Sequence, residues 1–173
     1  MEKIIIYKSQ TGFTKQYAQW MGEKLQCDAI DYKDIKKVDL NDYEIIIFGN
    51  RIHAGIIDGL KQFRSLIKES NSRLIVFATG ATPNQATEEI GKIPKNNALD
   101  QSIPFFYMQA GLCYEKMGFA DKTIMKMLSK MLEKQKNKSG FDEGMKNAIS
   151  SSYDNSSREY IMPLADYVRG LEG

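Results

Sequence analysis

The run IIIYKSQTGFTKQYAQW, residues 4–20, decides the fold. Ile4, Ile5 and Ile6 are consecutive β-branched residues, the pattern of a strand buried on both faces. From Tyr17 the period lengthens. Tyr17, Ala18, Met21 and Leu25 recur at helical spacing, with Gln16, Gln19, Glu23 and Lys24 outside that stripe. Ser9 to Thr14 therefore turns a strand directly into a helix. Such a turn aims backbone N–H groups outward at the positive end of a helix dipole, which suits an anion. Read locally, Ser9, Thr11 and Thr14 serve equally well as helix caps, so the choice rests on the remaining sequence.

Strand-like and helical segments alternate from there. Asp28 to Tyr32 reads as a strand, and Glu44 to Phe48, EIIIF, as a stronger one ending at Gly49. Ile56, Leu60, Phe63 and Ile67 then predict a helix stripe, and Arg73 to Ala78 a strand running into the loop Thr79-Gly80-Ala81-Thr82. Thr87 to Lys92 predicts a short helix and Ile103 to Gln109 the fifth strand. The alternation specifies an α/β doubly wound parallel sheet of five strands in the order 2-1-3-4-5. In that order the ligand crevice lies at the carboxyl ends of the first and third strands, where the loops Ser9–Thr14 and Asn50–Gly55 meet. Beyond the fifth strand, Asp121 to Lys138 predicts an extra basic amphipathic helix, and polar Asn137 to Ser157 a mobile connection. Ile161, Leu164, Ala165, Val168 and Leu171 predict a closing helix with Pro163 in its first turn. The expectation is one domain over 1–173, with the inserted helix and connection at about 115–158.

Composition narrows the function classes. The chain has 173 residues, 42% apolar and 27% charged, with a net charge of +2. That balance is too mild to argue for nucleic acid, and no zinc-ligand spacing accompanies it. Cys27 and Cys113 stand far apart and outside any CxxC, which implies neither a disulfide framework nor a metal and fits a reducing cytoplasm. The three isoleucines near the start are too few for a signal peptide, and no run is long enough to span a membrane.

Three families place a ligand at these strand ends. Response regulators need carboxylates for magnesium there, but the strand ends read Tyr7-Lys8-Ser9 and Gly49-Asn50. Low-molecular-weight tyrosine phosphatases need a cysteine nucleophile, and residues 9–14 contain none. Ser9-Gln10-Thr11-Gly12-Phe13-Thr14, in contrast, resembles the flavodoxin phosphate loop, [ST]-x-T-G-x-T. The resemblance implies FMN as a non-covalent cofactor, with Ser9, Thr11 and Thr14 donating hydroxyls, Gly12 admitting the phosphate, and Gln10 and Phe13 completing the loop. It further implies cofactor contacts from Asn50, Arg51, Ile52, His53, Ala54 and Gly55, from Thr79, Gly80, Ala81 and Thr82, and from Gly111, Leu112 and Tyr114.

Within the flavodoxin-like proteins the chain is most similar to the menaquinone-dependent protoporphyrinogen oxidase branch. The similarity is carried by the phosphate loop, by Gly49-Asn50-Arg51-Ile52-His53-Ala54-Gly55, and by Ala110-Gly111-Leu112-Cys113-Tyr114 with the Met-rich segment that follows. It implies oxidation of protoporphyrinogen or a similar reduced substrate, with a quinone or flavoprotein acceptor. Shuttle flavodoxins are acidic and flank the ring with aromatics, whereas Asn50 to Gly59 and Thr79 to Pro104 hold none, and Lys8, Lys15 and Arg51 lie in or near the site. Cations stabilise a reduced, anionic flavin. An electron carrier without its own substrate, and a flavin-free interaction or membrane-surface module, are the alternatives.

His53, the chain's single histidine, is a candidate to take a substrate proton or hydrogen-bond the ring, or else a surface residue. Arg51 is a candidate to pair with a substrate carboxylate, or else a solvated loop cation. In DKTIMKMLSKMLEKQKNK, lysines recur every four residues from Lys122 to Lys134 opposite an Ile, Leu and Met face, and residues 121–138 carry +4. Residues 121–134 thus suit peripheral contact with an anionic membrane, or equally packing against protein.

Overall fold

A computed structural model describes residues 1–134 and 151–173, which form two compact units. The first comprises Met1–Ala110 and Ser156–Gly173, the second Gly111–Asn155.

In the first unit the isoleucine run is strand β1 (Lys3–Tyr7), followed by α1 (Phe13–Leu25) and β2 (Asp28–Asp31). Then come β3 (Ile45–His53), β4 (Ile56–Ile57), α2 (Leu60–Leu66), β5 (Arg73–Gly80), α3 (Thr87–Asn96) and β6 (Phe105–Gln109). The five long strands are parallel in the order β2-β1-β3-β5-β6, which is the expected 2-1-3-4-5 sequence, and β4 pairs antiparallel with the end of β3.

Period-two alternation sorts the strand residues onto two cores. Ile5, Tyr7, Ile45, Ile47, Ile75, Phe77 and Met108 face one side, covered by Tyr17, Ala18, Met21 and Leu25 of α1. Leu164, Ala165 and Val168 of the closing helix, α5 (Met162–Glu172), complete that layer, with Pro163 in its first turn. Ile4, Ile6, Ile46, Phe48, Leu74, Val76 and Ala78 face the other side, covered by Leu60 and Phe63 of α2 and Ile93 of α3. Phe48 and Phe63 stack with centroids 4.3 Å apart.

Several boundaries differ from the sequence reading: β3 runs on to His53, β5 to Gly80, β6 starts at Phe105 and the extra basic helix at Phe119, and two further helix limits also move. Ile56 belongs to β4 and is exposed, so the helix stripe begins at Leu60 rather than at Ile56. The spacing of Ile56 to Leu60 fits a helix by coincidence, while Gly59 at φ 73° caps α2 and ends the extended segment. Helix α3 continues past Lys92 to Asn96, with Pro94 inside its last turns.

In the second unit β7 (Gly111–Leu112) pairs antiparallel with β8 (Tyr153–Asp154). A Cβ on Gly111 would lie 1.9 Å from the Tyr153 carbonyl oxygen, so only glycine lets these backbones approach. Helix α4 spans Phe119–Lys134, and the expected helix residues 135–138 lie outside the described residues. So does most of the expected connection, which is described only over 151–157.

Candidate functional site

The carboxyl ends of β1, β3 and β5 gather three of the segments singled out from the sequence. The first is the strand-to-helix turn. Gly12 is the N-cap of α1 at φ 104°, a conformation that strains any residue bearing a Cβ. No side chain caps the helix, and its first turn carries no acidic residue. Ser9 does not cap the helix; its Oγ accepts the Gly12 N–H at 3.1 Å and closes the loop. The first amides of a 13-residue helix thus meet neither a capping oxygen nor a carboxylate. A dianion is the ligand that such a donor set fits.

Thr14, in the first helical turn, is 2% exposed, and its hydroxyl lies 2.8 Å from that of Thr79 near the end of β5. One turn on, the Tyr17 hydroxyl donates to the Gln109 carbonyl and accepts the Ser157 N–H at 3.1 Å. The Gln109 side-chain oxygen in turn accepts the Asn84 N–H at 3.0 Å. Helix α1 is therefore tied by buried polar groups to β5, to β6 and to the loop between β5 and α3.

The second segment, expected as the loop Asn50–Gly55, is a β-hairpin. Ile52 pairs with Ile57 and His53 with Ile56, leaving Ala54 and Gly55 as a two-residue turn. Both have positive φ, 49° and 79°, as a type I′ turn requires. Asn50, 2% exposed, donates from Nδ2 to the Asp58 carbonyl at 2.6 Å, and its Oδ1 accepts the Arg51 N–H at 2.7 Å. Arg51 Nε pairs with Asp58 Oδ2 at 2.8 Å, and the Asp58 N–H donates to the Arg51 carbonyl at 3.1 Å. Just past α3, Asn97 closes the far end, its Oδ1 accepting the Ile57 N–H at 2.8 Å and its Nδ2 donating to the Gly55 carbonyl at 2.9 Å. The hairpin is a braced projection with His53 exposed near its tip. Beside its base a cavity of about 380 Å³ is lined by Lys8, Tyr32, Phe48, Asp58, Gly59 and Gln62.

In the third segment Thr79 is buried, while Gly80, Ala81 and Thr82 are partly exposed. The Tyr107 hydroxyl donates to the Thr82 carbonyl at 2.7 Å, and a Cβ on Gly80 would lie 3.0 Å from that hydroxyl. Gly111, Leu112 and Tyr114 belong to the second unit. There the Tyr114 N–H donates to Ser152 Oγ at 2.9 Å, and Ser152 Oγ donates to Glu115 at 2.7 Å. Burial raises the Tyr114 phenol above its ordinary pKa, and the bond from Ser152 holds the Glu115 carboxyl below its own.

Asp58, Asn97, Tyr107 and Gln109 shape the site without having been singled out from the sequence. Asp58 is seven residues from Arg51 along a hairpin, a pairing legible once Ala54-Gly55 is read as a turn. Gln109, Tyr107 and Asn97 act across long sequence separations, and nothing local marks them. Among the described residues no group of three His, Cys, Asp or Glu side chains is gathered as a metal site.

These features define a class: doubly wound parallel-sheet proteins whose first strand-to-helix turn presents uncapped helix amides. The chain belongs to the flavodoxin domain family, whose model matches residues 4–139. FMN, the cofactor expected from the loop, agrees with that family. Among solved structures, a flavoprotein from Lactobacillus acidophilus in complex with FMN is similar at 14% identity and a TM-score of 0.44, covering 62% of this chain and 91% of that one. A WrbA-like flavodoxin from Agrobacterium tumefaciens is similar at 14% identity and a TM-score of 0.42, covering 61% and 82%. An NADH:FMN oxidoreductase, in its apo form, is similar at 13% identity and a TM-score of 0.44, covering 86% and 87%. No curated protein matches the sequence. Among the described residues no helix is long and apolar enough to cross a membrane.

Proposed function

We propose that the chain is an FMN-dependent oxidoreductase whose site lies at the carboxyl ends of β1, β3 and β5. The observation that carries this reading is the start of α1. There a glycine at φ 104° admits a ligand to helix amides that no side chain caps and no carboxylate opposes. Thr11, Thr14 and the α1 amides hold the phosphate, while Ser9 fixes the loop through Gly12. The braced hairpin Arg51–Ile57 and the segment Gly80–Thr82 flank the ring. FMN supplies the redox chemistry when bound. Arg51 serves mainly to brace the hairpin, because its guanidinium is paired with Asp58. His53 remains the candidate to take a substrate proton.

The finer reading is oxidation of protoporphyrinogen with a quinone acceptor, supported by the resemblance of residues 9–14, 49–55 and 110–114 to the menaquinone-dependent branch. A quinone acceptor is consistent with α4 lying at an anionic membrane surface, where Lys126 and Lys130 are exposed beside exposed Ile124 and Met127. The test is anaerobic incubation of the FMN-loaded protein with protoporphyrinogen and a soluble menaquinone analogue, followed by porphyrin fluorescence. Quinone-dependent porphyrin formation that needs the loaded protein supports the reading. Its absence, with one-electron exchange to a redox partner retained, replaces the enzyme with an electron carrier.

A further inference from the structure

Thr14 and Thr79 stand 65 residues apart, yet their hydroxyls meet at 2.8 Å with each residue 2% exposed. Two hydroxyls bring two protons, and the bond between them uses one. The second needs an acceptor, since a buried donor without one is costly. Among the described residues neither hydroxyl has another side-chain or backbone partner. The direction of the shared bond therefore has a consequence. If Thr14 donated to Thr79, it would turn only lone pairs toward the start of α1 and repel an anion there. The Thr79 proton would also be left inside the fold. If Thr79 donates, both protons are placed: one on Thr14 Oγ1, the other directed from Thr14 to an acceptor at the helix N-terminus.

We infer that Thr79 is a positioning residue for the phosphate, donating to Thr14 so that Thr14 can donate to the ligand, and touching no ligand itself. This deepens the FMN reading and rests on it. It also changes the role of Thr79 from the cofactor contact implied by family resemblance. The surrounding network makes the pair testable by itself. Tyr17, Gln109 and Asn84 hold α1, β6 and the β5–α3 loop together independently of the two threonines. Removing the Thr79 hydroxyl should therefore remove the orientation and leave the framework in place.

The experiment compares binding of FMN with binding of riboflavin, which has the same ring and no phosphate, by flavin fluorescence quenching on the apoprotein. Thr79→Val keeps the side-chain shape and removes the hydroxyl, while Thr79→Ser keeps the hydroxyl. The expected result is an FMN Kd raised about tenfold in Thr79→Val, the upper end for losing one neutral hydrogen bond, here the one from Thr79 that orients Thr14. Riboflavin binding should stay within about twofold of wild type, and Thr79→Ser should restore FMN affinity. An unchanged FMN Kd, an equal loss for both flavins, or a failure of serine to rescue overturns the inference. If Thr79→Val does not fold, Thr79→Ala carries the same comparison. A wild-type apoprotein that takes up neither flavin overturns the FMN reading itself, a result distinct from all of these.

Discussion

Replacing Gly49 by alanine tests how the third strand reaches the site. Gly49 and Phe77 are register partners on β3 and β5, and the phenyl ring lies across the glycine. A Cβ at position 49 would fall 1.9 to 2.5 Å from the Cζ, Cε1 and Cε2 atoms of that ring. Phe77 is fully buried in the core that includes Tyr17, Met108 and Leu164, so the ring has no nearby space to enter. Overpacking ordinarily costs ~1–3 kcal/mol. A contact this short against a fixed ring puts Gly49→Ala at about 3 kcal/mol. For a chain of this length that corresponds to a fall in Tm of roughly 6–12 °C. Urea unfolding followed by circular dichroism measures it, and the double variant Gly49→Ala/Phe77→Leu locates the cause. If the ring is the obstacle, the double variant should be more stable than the sum of the two losses predicts, by about 1–3 kcal/mol. A Gly49→Ala loss below about 0.5 kcal/mol, or strict additivity, would refute the reasoning.

Two further outcomes follow from charge and burial. Burial pushes the Cys27 thiol up to about 11, so at pH 8 its thiolate is roughly a hundredfold scarcer than that of an ordinary cysteine. In a Cys113→Ser background, iodoacetamide should label Cys27 about a hundredfold faster in urea than in the folded protein; equal rates would contradict this. The same shift makes stability fall as pH rises from about 9 to about 11, because the unfolded thiol ionises first. The membrane reading of α4 predicts salt-sensitive binding to phosphatidylglycerol vesicles, reduced about a hundredfold when Lys122, Lys126 and Lys130 become glutamine. Equal binding to neutral phosphatidylcholine vesicles would remove the charge argument.

The strand runs were legible because burial on both faces leaves few polar residues. Ile4–Ile6, EIIIF and RLIVFA each appear in the sheet, and their connections left one common strand order. Helix α1 was legible from the stripe Tyr17, Ala18, Met21 and Leu25, all of which are buried. The hairpin was missed because Ile56 and Leu60 share helical spacing, and because Ala54 gave no turn signal despite its φ of 49°. Ala54-Gly55 followed by Gly59 was the available cue. The sequence reading ends the third helix at Lys92, whereas α3 runs to Asn96 with Pro94 inside it, although proline removes an interior N–H donor there. The strand-to-helix turn was readable from Gly12 and its hydroxyl neighbours. The partners that set its hydrogen-bond polarity were not, since Thr14 and Thr79 meet only after the sheet assembles.

The most direct test of the account is calorimetric titration of the purified apoprotein with FMN. Binding of one FMN per chain, weakened when Thr11 and Thr14 are both changed to valine, is the predicted result. The absence of FMN uptake by the folded wild-type protein would contradict it, leaving the turn Ser9–Thr14 as the entry to a helix and nothing more.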